Sequence, residues 1–445
     1  MKAIVTWIGI GVASFTLLAL STADEAEEEQ GDPFSRKGSE ADPRGAEGHP
    51  FLVLAVELIE VPRETIRSWE DAGVPPTQWW GKSFRDAGSG AEVVDSALVL
   101  SRSGARARCR SILKQQVPAK FEELEFDLEG PHFPVAFEPG FAGLVCECDA
   151  TMMQDQLTVN LAVSLDWSQH LGENTEGRMV GPSAPESDLL RPVFARQRIT
   201  TTTEVIVGEP ELVGRFVSRL EERRESHDVL VFARVEQSEA TGPRDRARLD
   251  GVSIVKVGAE WVDVPADAWH EALSEAPLAD WITGGAWQWA RELDGATVLS
   301  SPVVQSKSGA RAKVDSVRQI EEEVSWARPT GPGAAPVLAE TRTVDIGEIF
   351  EFDSVLSADG ILDFFFRAES TSLHGYSVSY RVQRDGDWVP AVRFPRVYSV
   401  DATSSFSFSA DGRYLVHVGT PPTPSGTPDE SRKRLFFLSN RTFVD

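Results

Sequence analysis

Two pairs of carboxylates occur at matching positions of this chain, Glu57 with Glu60 and Glu260 with Asp263. Paired carboxylates can serve acid–base catalysis or bind Ca²⁺. Each pair lies in an otherwise apolar run, which is typical of the solvent-facing residues of a strand. Because two carboxylates alone do not make a site, we predict that both pairs face solvent. The same interpretation applies to two later pairs, on the exposed face of a hairpin: Glu147/Asp149 and Glu351/Asp353.

Serine and histidine do not form a recognisable catalytic set. Ser103 and Ser308 both begin the string Ser-Gly-Ala-Arg-Ala, but no histidine recurs with them, so we predict a turn for each. His270, beside Trp269 on a predicted helix, is expected at the surface or rim. The seven histidines are scattered, with none at metal-ligand spacing: His49, His132, His170, His227, His270, His374 and His417.

The sequence therefore predicts a protein that is not an enzyme. It has no Gly-x-Ser-x-Gly elbow and no phosphate-binding glycine loop. We predict no catalytic residue, no metal site and no cofactor. An envelope hydrolase is the least favoured function.

A tryptophan group offers a different chemistry, the stacking of sugar rings. Trp281, Trp287 and Trp289 follow one another at helical spacing, which is more typical of a packed core than of an exposed platform. Trp79 and Trp80 occupy the corresponding region earlier in the chain. The alternative function that this group leaves open is a soluble periplasmic module that binds a ligand or a protein.

The three cysteines are interpreted as small core residues. They are Cys109, Cys146 and Cys148. Cys146 and Cys148 lie two apart in a predicted strand, a spacing that does not favour a bond between them. A bridge from Cys109 to either one stays open in an oxidising compartment. Apolar residues stand at the matching positions later in the chain: Val314, Phe350 and Phe352.

Three collinear matches, each about 204 residues apart, indicate a tandem duplication. The matched segments are Glu57–Pro62 with Glu260–Pro265, Ser103–Ala107 with Ser308–Ala312, and Gly143–Asp149 with Gly347–Asp353. We predict one domain at 49–237, here called the first half, and another at 252–445, the second half. The polar segment 238–251 is predicted to link them.

Apolar patterning predicts an α+β, β-dominated fold. Each half opens with an apolar strand followed by one or two helices, and antiparallel hairpins come after. Ala410-Asp411-Gly412 predicts one such hairpin turn, between the strand holding Phe406 and Phe408 and the next strand. Alternation puts one apolar set on a single face: Leu157, Val159, Leu161, Val163 and Leu165.

The N-terminus has the pattern of a secretory signal peptide, residues 1–23. Lys2 precedes the apolar run Ile4–Leu20, and Ser21-Thr22-Ala23 offers small residues for cleavage. The alternative is an uncleaved anchor. Residues 24–48 are acidic and poor in large apolar residues, which predicts a disordered linker. The predicted location is the periplasm, with association with the outer membrane left open.

The charge balance excludes some partners. The chain has 445 residues and a net charge of −25. Such a chain is poorly suited to nucleic acid or to an anionic membrane surface as its main partner. A globular composition with 41% hydrophobic residues is compatible with two ordinary cores.

The order of several motifs resembles the C-terminal domain of bacterial secretins, the outer-membrane channels of type II and type III secretion and of type IV pili. The resemblance covers 49–237 and 252–445. The segments that carry it are the strand ends Ile59-Glu60-Val61 and Val262-Asp263-Val264, Val298–Val304, Pro192–Arg196, Ala136-Phe137-Glu138, Ala339–Arg342, and Lys433–Leu438 with Arg441. The family's glycine pair after the late hairpin is absent, since Val213-Gly214-Arg215 and Val418-Gly419-Thr420 stand there.

This resemblance implies a structural or accessory component of a type II secretion or type IV pilus-like system. In secretins the subunits extend a shared sheet around a ring, so the implied partners are the chain itself or a secretin-type protein, bound through strand edges. The two halves would pair edge to edge as a pseudo-twofold monomer, or occupy two positions in a ring. The missing glycine pair favours a non-conducting member. Whether any strand enters lipid is left open.

Overall fold

The computed structural model describes residues 51–444 except for 86–87, 123–132, 182–183, 219–222, 224–225, 239–252, 276–277, 328–336, 358–360, 385–386, 410–411, 422, 424–428 and 430. The predicted signal peptide and acidic linker lie outside the described residues. So does the predicted link between the halves, apart from Ser238. The segment 47–445 is one compact unit.

In the first half, the described elements follow one another in this order: β1 (Phe51–Pro62), α1 (Arg63–Asp71), α2 (Pro76–Arg85), β2 (Glu92–Arg102), β3 (Arg106–Glu122), β4 (Phe133–Met152), β5 (Thr158–Gly181), β6 (Ala184–Ile206), β7 (Pro210–Val217) and β8 (His227–Ser238).

The second half has a comparable order: β9 (Ser253–Pro265), α3 (Ala266–Glu275), α4 (Leu278–Asp280), a π-helical turn (Trp281–Gly285), α5 (Ala286–Glu292), β10 (Thr297–Ser300), β11 (Val303–Lys307), β12 (Arg311–Ala327), β13 (Val337–Leu356), β14 (Ile361–Arg384), β15 (Asp387–Ser409), β16 (Arg413–Gly419) and β17 (Arg432–Val444). The predicted β-dominated α+β class is confirmed, with the helices directly after the first strand of each half.

The strands form two antiparallel sheets, and each sheet contains strands of both halves. In sheet A the order is β10-β9-β17-β16-β2-β1-β8-β7, with β11 also paired to β9. In sheet B the order is β12-β13-β14-β15-β3-β4-β5-β6. In the strand order of each sheet the halves meet once. In sheet A, β16 of the second half pairs with β2 of the first half, and in sheet B, β15 of the second half pairs with β3 of the first half. The halves are therefore joined head to tail rather than about a twofold axis.

Sheet B covers one face of sheet A, and helices of both halves also pack against sheet A. Alternate residues of β1, such as Leu54 and Val56, share a core cluster with Cys146 and Leu161 of sheet B. Residues of the opposite face of β1, such as Ile59, cluster instead with aromatic residues of α1 and α2. A second, larger cluster contains residues of both halves, so the core is continuous between them. None of the helices in the described part of the chain is long and apolar enough to cross a bilayer.

The predicted alternation of β5 is confirmed beyond its first residue. Val159, Leu161, Val163 and Leu165 are buried, whereas Leu157 lies just before the strand and is exposed. The apolar face points toward sheet A because the strand is half-buried in a two-layer packing.

The hairpin predicted at Ala410-Asp411-Gly412 is wrong as a strand pairing. Phe406 and Phe408 lie on β15, which pairs with β14 and β3 in sheet B. The next strand, β16, pairs with β17 and β2 in sheet A. The chain therefore changes sheets at this point, with residues 410–411 outside the described residues. Alternation and a turn signal look the same whether the next strand pairs with its neighbour or crosses to the facing sheet.

Candidate functional site

In the strand order of each sheet the two halves contact each other through one pair of strands, and we call this contact the internal seam. In sheet B it joins β15 to β3 over seven register pairs, from Val397 opposite Lys114 to Thr403 opposite Arg108. In sheet A it joins β16 to β2 through His417 opposite Val99 and Val418 opposite Leu98. These pairings connect residues about 300 positions apart in the sequence.

Thr420 lies at the centre of a buried polar cluster in this seam. Its hydroxyl donates to Asp95 Oδ1 at 3.0 Å and accepts from Lys433 Nζ at 2.9 Å. Its carbonyl oxygen accepts from Ser111 Oγ at 2.9 Å and also from the Tyr398 hydroxyl. All five side chains are buried. These residues, here called the Thr420 cluster, connect β2 and β3 of the first half to β15 and β17 of the second.

Burial controls the titration of this cluster. Loss of contact with water raises the pKa of the Asp95 carboxyl, although Lys433 and the hydrogen bond from Thr420 act in the opposite direction. Burial likewise raises the pKa of Tyr398. A buried charge is tolerated where hydrogen bonds and an opposite charge surround it. The cluster is therefore a buried polar contact between the two halves, in which each side chain relies on the others for its hydrogen bonds.

Sequence reasoning missed this cluster. The one local signal is the pair Lys433-Arg434, two cations directly before the apolar run Leu435–Leu438. Both side chains are buried, and each has an acidic counterpart on another strand. Arg434 Nε and Nη2 donate to the two carboxylate oxygens of Asp263 at 2.7 and 2.9 Å.

His417 is the buried histidine of the same seam. Its Nδ1 atom lies 3.3 Å from the Leu98 carbonyl oxygen, and its Nε2 atom has no hydrogen-bond partner among the described residues. Its ring lies edge-on to Trp261. Burial lowers the pKa of His417 to about 4, because a charged imidazole would lose its hydration there. The side chain is therefore neutral near pH 7.

The predicted solvent exposure of the two recurrent carboxylate pairs is wrong. Glu57, Glu60, Glu260 and Asp263 are all buried. They keep partners that come from distant parts of the chain. Arg223 lies within ion-pair distance of Glu60, and Arg434 forms the two-bond contact with Asp263. Burial raises the pKa of Glu57 even with Arg234 nearby. This burial depends on arginines from distant segments, which no local sequence pattern identifies. They are Arg234 of β8, Arg434 of β17 and Arg223, which lies before β8.

A tryptophan beside a carboxylate occurs in both halves. Trp80 Nε1 donates to Glu57 Oε2, and Trp287 Nε1 lies 3.5 Å from Glu260 Oε2. Each indole also carries an arginine on its ring: Arg234 on Trp80, and Arg413, at 3.7 Å from the centroid, on Trp287. Such cation–π contacts are worth more at a buried site, as for Arg234, than at an exposed one, as for Arg413. The helices of each half are thereby fastened to the first strand.

The tryptophan group is packed rather than presented to solvent. Trp281, Trp287 and Trp289 are half-buried and pack against the core of the second half. Trp281 contacts both Trp269 and Trp289, with ring centroids at 5.3 and 5.1 Å. The exposed platform that the sugar- or ligand-binding alternative requires is therefore not formed by these three rings.

The turn role predicted for Ser103 and Ser308 is confirmed. Ser103 Oγ accepts from the Met152 amide at 2.9 Å, and Ser308 Oγ accepts from the Leu356 amide at 2.9 Å. The two serines thus make the same contact in the two halves, from the turn after β2 or β11 to the end of the strand β4 or β13.

Cysteines and histidines of the described residues show no grouping for metal binding, and no cluster of three or more potential ligands occurs among them. The three cysteines are buried, as predicted, and the bridge from Cys109 that the sequence left open is not formed. Cys109 lies opposite Cys146 in the β3–β4 register. His270 is half-buried, and burial lowers its pKa to about 3. His49 and His132 lie outside the described residues.

The outer edges of both sheets are open in the described residues. Sheet A ends in β7 on one side and in β10 and β11 on the other, and sheet B ends in β6 and β12. The ends of the long hairpins are partly covered, because Ser325 of β12 lies opposite Ala136 of β4, and β14 pairs with β6 at Leu189. The remaining stretches, near 194–206 of β6 and 311–322 of β12, pair with β5 and β13 on their inner side and have no described strand on their outer side.

Apolar residues at these edges are exposed where their counterparts at the internal seam are buried. Val303 faces Gly258 of β9 as Leu98 faces Ala55 of β1. Leu98 has 2% of its surface exposed, because β16 covers it, whereas Val303 has 53% exposed. At the opposite edge, Val217 is 42% exposed. The open edges thus lack the cover that the internal seam supplies.

Comparisons with known proteins give only distant similarity. No family model and no curated protein matches the chain. Among solved structures, the chain is similar to the InvG secretin domain β-barrel from the Salmonella SPI-1 injectisome NC-base, with 13% identity, a TM-score of 0.23, and coverage of 63% of this chain and 88% of that one. It is also similar to InvG in a near-atomic cryo-EM structure of the Salmonella SPI-1 type III secretion injectisome secretin, with 11% identity, the same TM-score, and coverage of 63% and 87%.

Proposed function

We propose that this chain is a non-enzymatic, exported structural protein of the bacterial envelope, which assembles with further copies of itself, or with a secretin-type protein, through its open sheet edges. It serves as an accessory component of a type II secretion or type IV pilus-like system. The two halves, 49–237 and 252–445, act as two tandem units of one repeating assembly.

The observation that carries the proposal is the head-to-tail order of both sheets. The edge formed by β15 and β16 of the second half pairs with the edge formed by β3 and β2 of the first half. This leaves the β6/β7 edge of the first half and the β11/β12 edge of the second half open. A head-to-tail contact uses two different surfaces, so it repeats until a ring closes or a filament grows.

The exposed edge residues support the same direction of assembly. An uncovered strand edge has unpaired N–H and C=O groups and, here, the exposed side chain of Val303, so it can pair with a strand of another chain. Pairing of β7 from one chain with β11 of the next would cover Val303 as β16 covers Leu98. The motif order shared with secretins and the N-terminal signal pattern support the envelope location.

The first experiment measures the native mass of the exported protein. The full chain is expressed in a bacterium, and the mass is determined over a range of concentrations in an osmotic-shock extract and in detergent-solubilised membranes. We expect species of several chains. The variant Val303→Asp should shift the population toward one chain, because a charge on the open edge opposes strand addition.

Val355→Asp is the matched control. Val355 is 50% exposed but lies on β13, one strand in from the β12 edge, where it is opposite Asp363 of β14. This control should assemble like the unmodified protein. A one-chain mass for the unmodified protein in both extracts at every concentration would overturn the proposal. An equal loss of assembly in both variants would show that Val303 is not at the contact.

A further inference from the structure

One row of residues crosses all eight strands of sheet B. Each member lies opposite the next in the strand register, and the order is Asp315, Ile349, Glu369, Asp401, Arg110, Val145, Asp166 and Arg198. Directly opposed residues of an antiparallel pair lie on the same face of the sheet. The row therefore begins with a carboxylate on β12 and ends with a guanidinium on β6.

The middle of this row is the internal seam, and an ion pair spans it. Asp401 of β15 accepts a hydrogen bond from Arg110 Nε of β3, and both side chains are largely buried. The half-rows on either side have the same length. A continuing sheet would therefore place Arg198 of one chain opposite Asp315 of the next, at the same point of the seam.

The two contacts carry their charges in opposite order. At the internal seam the second half provides the carboxylate, Asp401, and the first half provides the arginine, Arg110. At the open edges the first half ends in the arginine, Arg198, and the second half ends in the carboxylate, Asp315. At both junctions, however, a carboxylate lies opposite an arginine, so neither junction brings like charges together.

Adjacent rows agree with this register. The next row toward the β4–β5 turn ends in Val314 and Ile199, two apolar residues. The next row the other way ends in Ser316 and Gln197, two polar residues that can hydrogen-bond. A slip of one residue would exchange the faces of the strand. A slip of two residues in one direction would bring Arg198 against Lys313.

Both end residues are accessible, and each contacts an opposite charge within the chain. Arg198 Nη2 donates to Asp166 Oδ2 at 2.7 Å, and Asp166 is also held by Arg196. Asp315 lies 2.9 Å from Lys313 Nζ, in a pair whose two members are nearly half exposed. An exposed pair such as Asp315–Lys313 contributes little to stability, so exchanging that charge should leave the fold intact. Asp166 keeps its contact with Arg196 when Arg198 is exchanged.

We propose that Arg198 of one chain and Asp315 of the next form the ion pair that sets the register of the contact between chains. This inference rests on the proposed function, since it names the residues that would join successive copies. The partner it identifies is a second copy of this chain, presented through the β12 edge. The pair makes the contact selective for head-to-tail addition, because two β6 edges or two β12 edges would oppose like charges.

The test uses two charge reversals, Arg198→Asp and Asp315→Arg. Each single variant puts like charges at every contact between its copies, so the concentration needed for half-assembly should rise about tenfold or more. The double variant restores the pair with its charges exchanged and should assemble like the unmodified protein. A mixture of the two single variants should also assemble, in alternation, because every contact then joins an arginine to a carboxylate.

The control is Arg367→Asp, which reverses an exposed arginine on β14, away from both edges. It should not alter assembly. Recovery in the mixture also shows that both single variants are folded. If the unmodified protein assembles and the single variants assemble equally well, the ion pair is refuted while head-to-tail assembly stands. If the unmodified protein is one chain under all conditions, the proposed function fails, and this inference fails with it.

Discussion

Gly143 and Gly347 adopt the same unusual backbone conformation at matching positions of the two halves. Their φ angles are +127° and +139°, and a Cβ added to either would lie 2.1 Å from a carbonyl oxygen, that of Ser111 or Ser316. Each glycine lies where β4 or β13 passes close to the preceding strand. The close approach explains why both halves keep a glycine there, since any other residue brings both a steric conflict and a strained backbone.

Replacement of either glycine by alanine should therefore destabilise the protein to a similar extent. We expect Gly143→Ala and Gly347→Ala each to lower the free energy of unfolding by about 2–4 kcal/mol, measured by urea denaturation. Gly172→Ala is the control, because Gly172 has a φ of +120° but no atom within 4 Å of an added Cβ. It isolates the backbone strain, about 1–2 kcal/mol. Equal losses in all three variants would show that the close approach is unimportant.

The Thr420 cluster should depend on the threonine hydroxyl. Thr420→Val keeps the shape and the backbone carbonyl but removes the acceptor for Lys433 and the donor to Asp95. Because both partners are buried ionisable groups that would each lose a hydrogen bond, we expect a loss of about 2–4 kcal/mol in the free energy of unfolding. Thr202→Val, at an exposed position of β6, should change it by less than about 0.5 kcal/mol. A small effect at Thr420 would mean that the cluster does not join the halves.

Glu348 should reduce stability as the pH rises. Burial raises the pKa of Glu348 to about 7, and Ser370 Oγ donates to its Oε1 atom at 2.8 Å. The folded state therefore holds a proton that the unfolded chain has released above about pH 4.5, so stability falls between about pH 4.5 and 7. The stability of Glu348→Gln relative to the unmodified protein should rise over that interval and level off above it. Glu321→Gln, at an exposed site on β12, serves as control, and the same slope there would contradict the prediction.

His417 should act in the opposite direction, at acid pH. Its folded-state pKa is lowered to about 4, below the value near 6.5 of an unfolded chain. The unfolded chain therefore takes up the proton first, and stability is lost as the pH falls from about 6.5 to 4. His417→Gln cannot be protonated, so its stability relative to the unmodified protein should rise over that fall in pH. Thermal unfolding at several pH values measures this, with His227→Gln for comparison. An unchanged pH profile would show that His417 is hydrated.

Local sequence patterns predict much of this fold correctly. Alternation predicts the buried face of β5, the serine of each Ser-Gly-Ala-Arg-Ala string marks a turn, and the cysteines lie in the core where the second half has Val314, Phe350 and Phe352. These features depend on neighbouring residues and on the twofold periodicity of a strand. The same periodicity holds whichever strand lies beside it.

Partners from distant segments decided the rest. The carboxylates of β1 and β9 look solvent-exposed in sequence, and they are buried because arginines such as Arg434 reach them from another strand. The sequence around Phe408 predicts a strand and a turn, but the strand after the turn joins the other sheet. The seam through Thr420 and the row from Asp315 to Arg198 exist only once strands about 300 residues apart pair. Such pairing depends on how the two whole sheets pack together, and a short stretch of sequence carries no information about that packing.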